Sequence, residues 1–227
     1  MARGITKEDI TKNLAKKLEY SLFLLRPEAT EKMIGQACKE AKKYGFYGVN
    51  VNPANLKAAV SALKNSGVKV VAAVGYPLGA NATETKIFEA RQSVALGADE
   101  IEVVMNVGAF KSEKYALVRK ELAAIKRAAK KPLSVIIEAH LLTDKEVAAA
   151  CKIAKTAGAA AVKSSAGLQR RATPRDVKLM RRAVGRNFVV KAAGKIRTKG
   201  HFLSLINAGA DRIVTSSAVK IMKELKK

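Results

Sequence analysis

Tryptophan is absent from this chain of 227 residues, and only five tyrosines and six phenylalanines stand beside it. Its core must therefore be built from aliphatic side chains. There are two cysteines, Cys38 and Cys151, each alone in a helix-like segment. That excludes a disulfide framework and a cysteine metal cluster and fits a reducing compartment. The two histidines, His140 and His201, fall in no metal-ligand spacing. Apolar runs stay far below the roughly 20 residues of a membrane span, and residues 1–10 lack the apolar centre of a secretory signal. A cytoplasmic protein with no membrane partner is expected. Acids are also scarce: 19 against 43 lysines and arginines, for a net charge of +24. Such an excess attracts phosphates, nucleic acid or another acidic surface.

What is present is alternation. Apolar positions Ile10, Leu14 and Leu18 make one stripe of a helix over residues 7–19. Leu22-Phe23-Leu24-Leu25 then reads as a first strand, stopped at Arg26-Pro27. Helices are predicted over residues 29–44, 55–65, 83–96, 112–129, 143–157, 173–184, 198–208 and 217–225. Strands are predicted over residues 47–51, 68–74, 100–106, 133–138, 159–163, 188–193 and 212–215. Three echoes punctuate the series: Gly97, Gly158 and Gly209 each end a helix in Gly-Ala and open a strand. Eight strand–helix units without a low-complexity linker suit a single (β/α)8 TIM barrel over residues 1–227, with a short extra helix at the N-terminus.

In such a barrel function sits at the strand ends and the loops after them. Two predicted strands carry a lysine in an otherwise small or apolar run: Ala161-Val162-Lys163-Ser164-Ser165 and Val189-Val190-Lys191-Ala192-Ala193. Lysine is rarely buried, and burying its charge unpaired costs several kcal/mol. Desolvation beside a second cation lowers a lysine's affinity for its proton, which makes a nucleophile for a carbonyl. Glu102, on one face of its strand with Val104 and Asn106, stands as a proton carrier. The same residues also fit lysines that extend to solvent or pair structurally with Glu102 and Glu138. Gly167, Gly194 and Thr215-Ser216-Ser217 before the last helix offer backbone N–H groups to a phosphate, or serve as ordinary turns and a cap.

These segments resemble the deoxyribose-phosphate aldolases. The likeness lies in Leu24-Leu25-Arg26-Pro27-Glu28-Ala29-Thr30, in Gly75-Tyr76-Pro77-Leu78-Gly79-Ala80-Asn81, in Val162-Lys163-Ser164-Ser165-Ala166-Gly167 and in Val190-Lys191-Ala192-Ala193-Gly194. The resemblance implies a (β/α)8 barrel and a class I aldolase, a carbon–carbon lyase that cleaves 2-deoxy-D-ribose 5-phosphate reversibly to acetaldehyde and D-glyceraldehyde 3-phosphate. It implies Lys163 as the Schiff-base lysine, Lys191 as the second lysine and Glu102 at the relay aspartate's place, with no metal or organic cofactor. Gly167, Gly194, Lys195, Ser216 and Ser217 would hold the phosphorylated sugar, and a homo-oligomer is the common state.

Besides Glu102, four positions depart from the family pattern. Its first-strand aspartate aligns without gaps to Ser21, its frequent strand-two cysteine is Asn50, a paired glycine has become Lys195, and the glycine before Thr215 has become Val214. Arg170, Arg171, Arg175, Lys178, Arg181, Arg182 and Arg186 crowd one helix and its approach, with Arg171, Arg175, Lys178 and Arg182 at helical spacing. These features give a second expectation: a catalytically impaired barrel that binds RNA, a ribonucleoprotein or another polyanion.

Overall fold

The computed structural model describes residues 6–21 and 24–227, apart from the side chains of residues 7 and 8. Eight strands form a closed, wholly parallel barrel in sequential order. They are β1 (Leu18–Tyr20), β2 (Gly48–Val51), β3 (Lys69–Val74), β4 (Glu100–Val104), β5 (Leu133–Ile136), β6 (Ala161–Lys163), β7 (Val189–Ala193) and β8 (Arg212–Thr215). Closure is made by β1 on β8, with Glu19 opposite Val214.

The helices follow the strands: α1 (Lys7–Ala15), α2 (Glu31–Tyr44), α3 (Leu56–Leu63), α4 (Thr83–Ala95), α5 (Val107–Lys111), α6 (Tyr115–Ala129), α7 (Asp144–Thr156), α8 (Pro174–Val184), α9 (Lys199–Asn207) and α10 (Ala218–Lys226). Local chemistry sets their ends. Thr143 caps α7 in a reciprocal box with Glu146, and α2 stops where Gly45 turns left-handed at φ 68°. None of the described helices is long and apolar enough to cross a membrane.

The main core lies between sheet and helices, where Leu18, Ile101, Val103, Val135, Val162, Val190 and Ile213 are buried. Their strand neighbours point into the barrel, as the period of two requires. There the chain places Glu19, Asn50, Glu102, Ser134, Lys163 and Lys191, all at most 2% exposed. Val104, Ile136 and Ala166, with Tyr76 against them, form a small apolar cluster.

Three boundaries differ from the sequence expectation. The first strand is Leu18–Tyr20 and not residues 22–25: Leu24 and Leu25 lie in a turn, and Leu22 and Phe23 fall outside the described residues. The apolar run misled because the strand's inward residue, Glu19, is charged. Helix α1 correspondingly ends at Ala15. The helix expected over residues 112–129 is preceded by α5, and Glu113 at φ 59° breaks the path between α5 and α6.

Candidate active site

Lys163 and Lys191 are register partners on β6 and β7, so both side chains enter the lumen from the same pleat level. Both amines reach one carboxylate. Lys163 Nζ lies 2.5 Å from Glu102 Oε2, and Lys191 Nζ lies 3.6 Å from Glu102 Oε1. Lys191 also pairs with Glu19 Oε1 at 2.8 Å and Glu100 Oε2 at 3.5 Å. Arg212 Nη1, from the start of β8, sits 3.2 Å from Glu100 Oε2 and 3.5 Å from Glu19 Oε1, with its guanidinium 3.5 Å above the Tyr47 ring. The Tyr47 hydroxyl donates to Glu100.

Three carboxylates thus face three cations, which is how the barrel carries six charges away from water. Burial pulls the Lys191 amine toward losing its proton, but Glu19, Glu102 and Glu100 outweigh it and hold the group well above the ordinary lysine value. Burial pushes the Glu19 carboxyl up, and Lys191, Arg212 and the Asn50 amide bring it net below the ordinary glutamate value. Lys191 is a standing cation.

Above Lys163 opens a cavity of about 330 Å³, lined by Ser21, Arg26, Tyr76, Gly167, Gly194, Lys195, Val214 and Ser216, among others. Four of the residues expected to hold phosphate, Gly167, Gly194, Lys195 and Ser216, therefore share one wall with the lysine. Ser217 does not line it; its backbone N–H donates to Thr215 Oγ1 at 2.9 Å. The Gly167 N–H is likewise engaged, by Ser165 Oγ at 2.9 Å. Among the described residues nothing accepts from the backbone N–H groups of Gly194, Lys195 and Ser216. Gly194 holds φ 121°, and a Cβ there would lie 2.6 Å from the Arg170 carbonyl oxygen. Lys195 adopts the left-handed region at φ 48° and is exposed, so its ammonium reaches solvent at the cavity rim. Val214 points inward, on the pleat of Arg212.

Glu138 pairs with neither lysine. It turns left-handed at φ 51°, accepts from Ser165 Oγ at 3.2 Å and from the Ala166 N–H, and approaches His140 Nδ1 at 3.2 Å. The Tyr76 hydroxyl donates to the Ala166 carbonyl, so the loop after Lys163 is held from two sides. His201 is buried between Arg171 Nε at 3.1 Å and the Ala172 carbonyl at 2.8 Å, and that burial holds its pKa below the usual value.

The basic stripe is shorter than its spacing suggested. Arg171 precedes α8, leaving Arg175, Lys178 and Arg182 on the helix, and Arg175 pairs with Asp144 at 2.8 Å. Arg181 folds inward, donating to the carbonyls of Gly209, Gly185 and Phe188 and pairing with Asp211.

Sequence reasoning missed Glu19, Glu100 and Arg212 as parts of the cluster. The usable signal was Leu18-Glu19-Tyr20, an apolar–charged–apolar alternation just before Ser21. With the strand set there, Glu19 is the acid that β1 turns into the lumen, while Ser21 follows the strand and lines the cavity.

The sequence profile of the DeoC/LacD family aldolases matches residues 26–213. The deoxyribose-phosphate aldolase of Caldanaerobacter subterraneus subsp. tengcongensis is 44% identical over 228 residues, 98% of each chain. That of Thermococcus kodakarensis is 47% identical over 205 residues, 88% of this chain and 92% of that protein. Among solved structures, a deoxyribose phosphate aldolase from Aeropyrum pernix, described as a unique tetramer, superposes with a TM-score of 0.89 at 32% identity over 96% of this chain and 92% of its own.

Proposed function

The chain belongs to the DeoC/LacD family of aldolases, and on that premise we propose that it cleaves 2-deoxy-D-ribose 5-phosphate reversibly through an imine on Lys163. The observation that carries this is the shared carboxylate: Glu102 lies 2.5 Å from the Lys163 amine and 3.6 Å from that of Lys191.

In the forward cleavage Lys163 gives a proton to Glu102, and its nitrogen attacks the aldehyde carbon of the open-chain sugar. The carbonyl oxygen leaves as water, and an iminium remains. Glu102, having passed its proton to the departing water, then accepts the proton of the C3 hydroxyl, the C2–C3 bond breaks, and its electron pair moves into the iminium to give an enamine. D-glyceraldehyde 3-phosphate departs. Protonation of the enamine carbon and hydrolysis release acetaldehyde and restore the amine. Glu102 moves protons throughout this sequence, with Lys191 as the fixed charge beside it. The substrate phosphate would lie against the N–H groups of Gly194, Lys195 and Ser216, with the Lys195 ammonium adding charge where the family has glycine.

The competing expectation, an impaired barrel that binds a polyanion, rested on Ser21, Val214, Lys195 and the net charge of +24; the relatives named above are aldolases and lend it no support. Self-association belongs to the proposal, since the Aeropyrum pernix relative is tetrameric. A retro-aldol assay, coupling D-glyceraldehyde 3-phosphate release to a dehydrogenase, tests the activity: turnover of the phosphorylated sugar supports it, and no turnover with a folded protein refutes it.

A further inference from the structure

The lumen contains a four-cornered contact of which one corner, Asn50, has no part in the proposed chemistry. Asn50, on β2, is 2% exposed and does not line the cavity. Its amide nitrogen lies 3.0 Å from Glu19 Oε2 and 3.4 Å from Glu102 Oε2. Lys191 sits on the other oxygen of each, at 2.8 Å from Glu19 Oε1 and 3.6 Å from Glu102 Oε1. The two carboxylates are therefore bridged twice, by an amide through one pair of oxygens and by an ammonium through the other. A carboxamide carries two N–H groups on one nitrogen, so a single asparagine can serve both acids. The reversed amide would aim its oxygen at two carboxylates, so the network itself fixes which end faces them.

We propose that Asn50 is a positioning residue that fixes the Glu102 carboxylate between the two lysines, one oxygen turned to each amine. The proposal rests on the Schiff-base reading above. Glutamate has one more rotatable bond than the aspartate the family pattern has at this place, and freezing it needs an extra contact. Among the described residues Glu102 Oε1 makes no hydrogen bond, and the Lys191 ion pair at 3.6 Å is its one polar contact, an attraction with little directionality to set the carboxylate's rotation. On the other side Lys163 is the reacting group and moves out of contact once its nitrogen is bonded to substrate. Asn50 is then the remaining neutral anchor.

A hydrogen bond to an ionised carboxylate favours the ionised form. The groups facing these acids are Glu19 from β1, Tyr76 from the loop after β3, Glu100 from β4, Lys163 from β6, Lys191 from β7 and Arg212 from β8, with Tyr47 on Glu100. The register partners of Glu102 on β3 and β5, Ala73 and Ser134, are uncharged. Removing the amide takes away one of the contacts that hold the Glu19 carboxyl below its ordinary value, and the acid limb of the rate profile must rise.

The test compares the full-length protein with Asn50→Leu, which keeps the shape without donors, and Asn50→Ser, a milder change that keeps one donor. Steady-state kinetics on 2-deoxy-D-ribose 5-phosphate are measured across pH, and acetaldehyde with cyanoborohydride is used to label Lys163. The expected result is kcat about tenfold lower in Asn50→Leu with KM within twofold, and an acid limb about one pH unit higher. Asn50→Ser should fall between, and it decides the matter if the leucine variant does not fold. A wild-type pH profile and kcat in the variants overturns the proposal, as does a raised KM at constant kcat, which would put Asn50 on the substrate. If wild-type Lys163 takes no label, the Schiff-base reading falls and this proposal with it. Labelled wild type with unaffected variants sinks this proposal alone.

Discussion

Lys163 and Lys191 stand opposite each other in register and share the two oxygens of Glu102, at 2.5 and 3.6 Å. A lone lysine in a dry barrel would be an expense without a use. Two of them on one carboxylate have the geometry that proton transfer needs, with the Lys163 amine at the cavity and the Lys191 amine locked by three acids.

Lys191→Met tests the locked amine. It leaves Glu19, Glu100 and Glu102 with only Lys163 and Arg212 to balance them, at a cost of about 3–5 kcal/mol. Denaturant unfolding should show that loss together with near-complete loss of turnover. A variant as stable as wild type would contradict the charge balance described for the lumen.

Acid should undo the same cluster. Glu19 binds its proton less readily in the folded chain than in the unfolded one. Its contribution is therefore present above the ordinary glutamate pKa and is lost as pH falls through the lower folded value. Lys191 works in the opposite sense, its contribution being complete below the ordinary lysine pKa and lost only at strongly alkaline pH. Stability followed from pH 7 downward should fall through the carboxylate range, and Glu19→Gln should flatten that fall. An unchanged acid profile in Glu19→Gln would contradict it.

The phosphate wall gives a substrate-dependent prediction. Lys195→Ala should raise KM for 2-deoxy-D-ribose 5-phosphate about tenfold and leave turnover of unphosphorylated 2-deoxy-D-ribose nearly unchanged. Equal effects on both sugars would remove Lys195 from phosphate binding. Val214→Gly, which takes an inward side chain out of the cavity, should lower KM for the phosphorylated sugar.

Gly194→Ala places a Cβ 2.6 Å from the Arg170 carbonyl oxygen at φ 121°. Backbone strain alone should cost about 1–3 kcal/mol, and the displaced wall should raise KM in the surviving folded protein. Thermal unfolding and kinetics measured together check both parts.

The barrel was legible in the sequence because apolar strands alternate with capped helices after the first strand, and the Gly-Ala turns at Gly97, Gly158 and Gly209 mark three of the joins. Lys163, Lys191 and Glu102 were legible because charge in an apolar strand needs a reason. Glu19 was not, because the strand that carries it is three residues long and lies against a helix with a compatible stripe. Glu100 and Arg212 fell inside the expected strands but at their first positions, the end of the barrel opposite the one where function was sought. The cavity wall was only partly legible. Residue type placed Gly167, Gly194, Lys195, Ser216 and Ser217 together, but only the backbone shows that the N–H groups of Gly167 and Ser217 are already bonded internally.

The central claim is that the Lys163 amine, and no other, forms the imine. Acetaldehyde followed by cyanoborohydride, with the adduct located by peptide mass spectrometry, tests it directly. One ethyl group per chain on Lys163, absent in Lys163→Ala, is the predicted result. Labelling scattered over exposed lysines while Lys163 stays unmodified would contradict it.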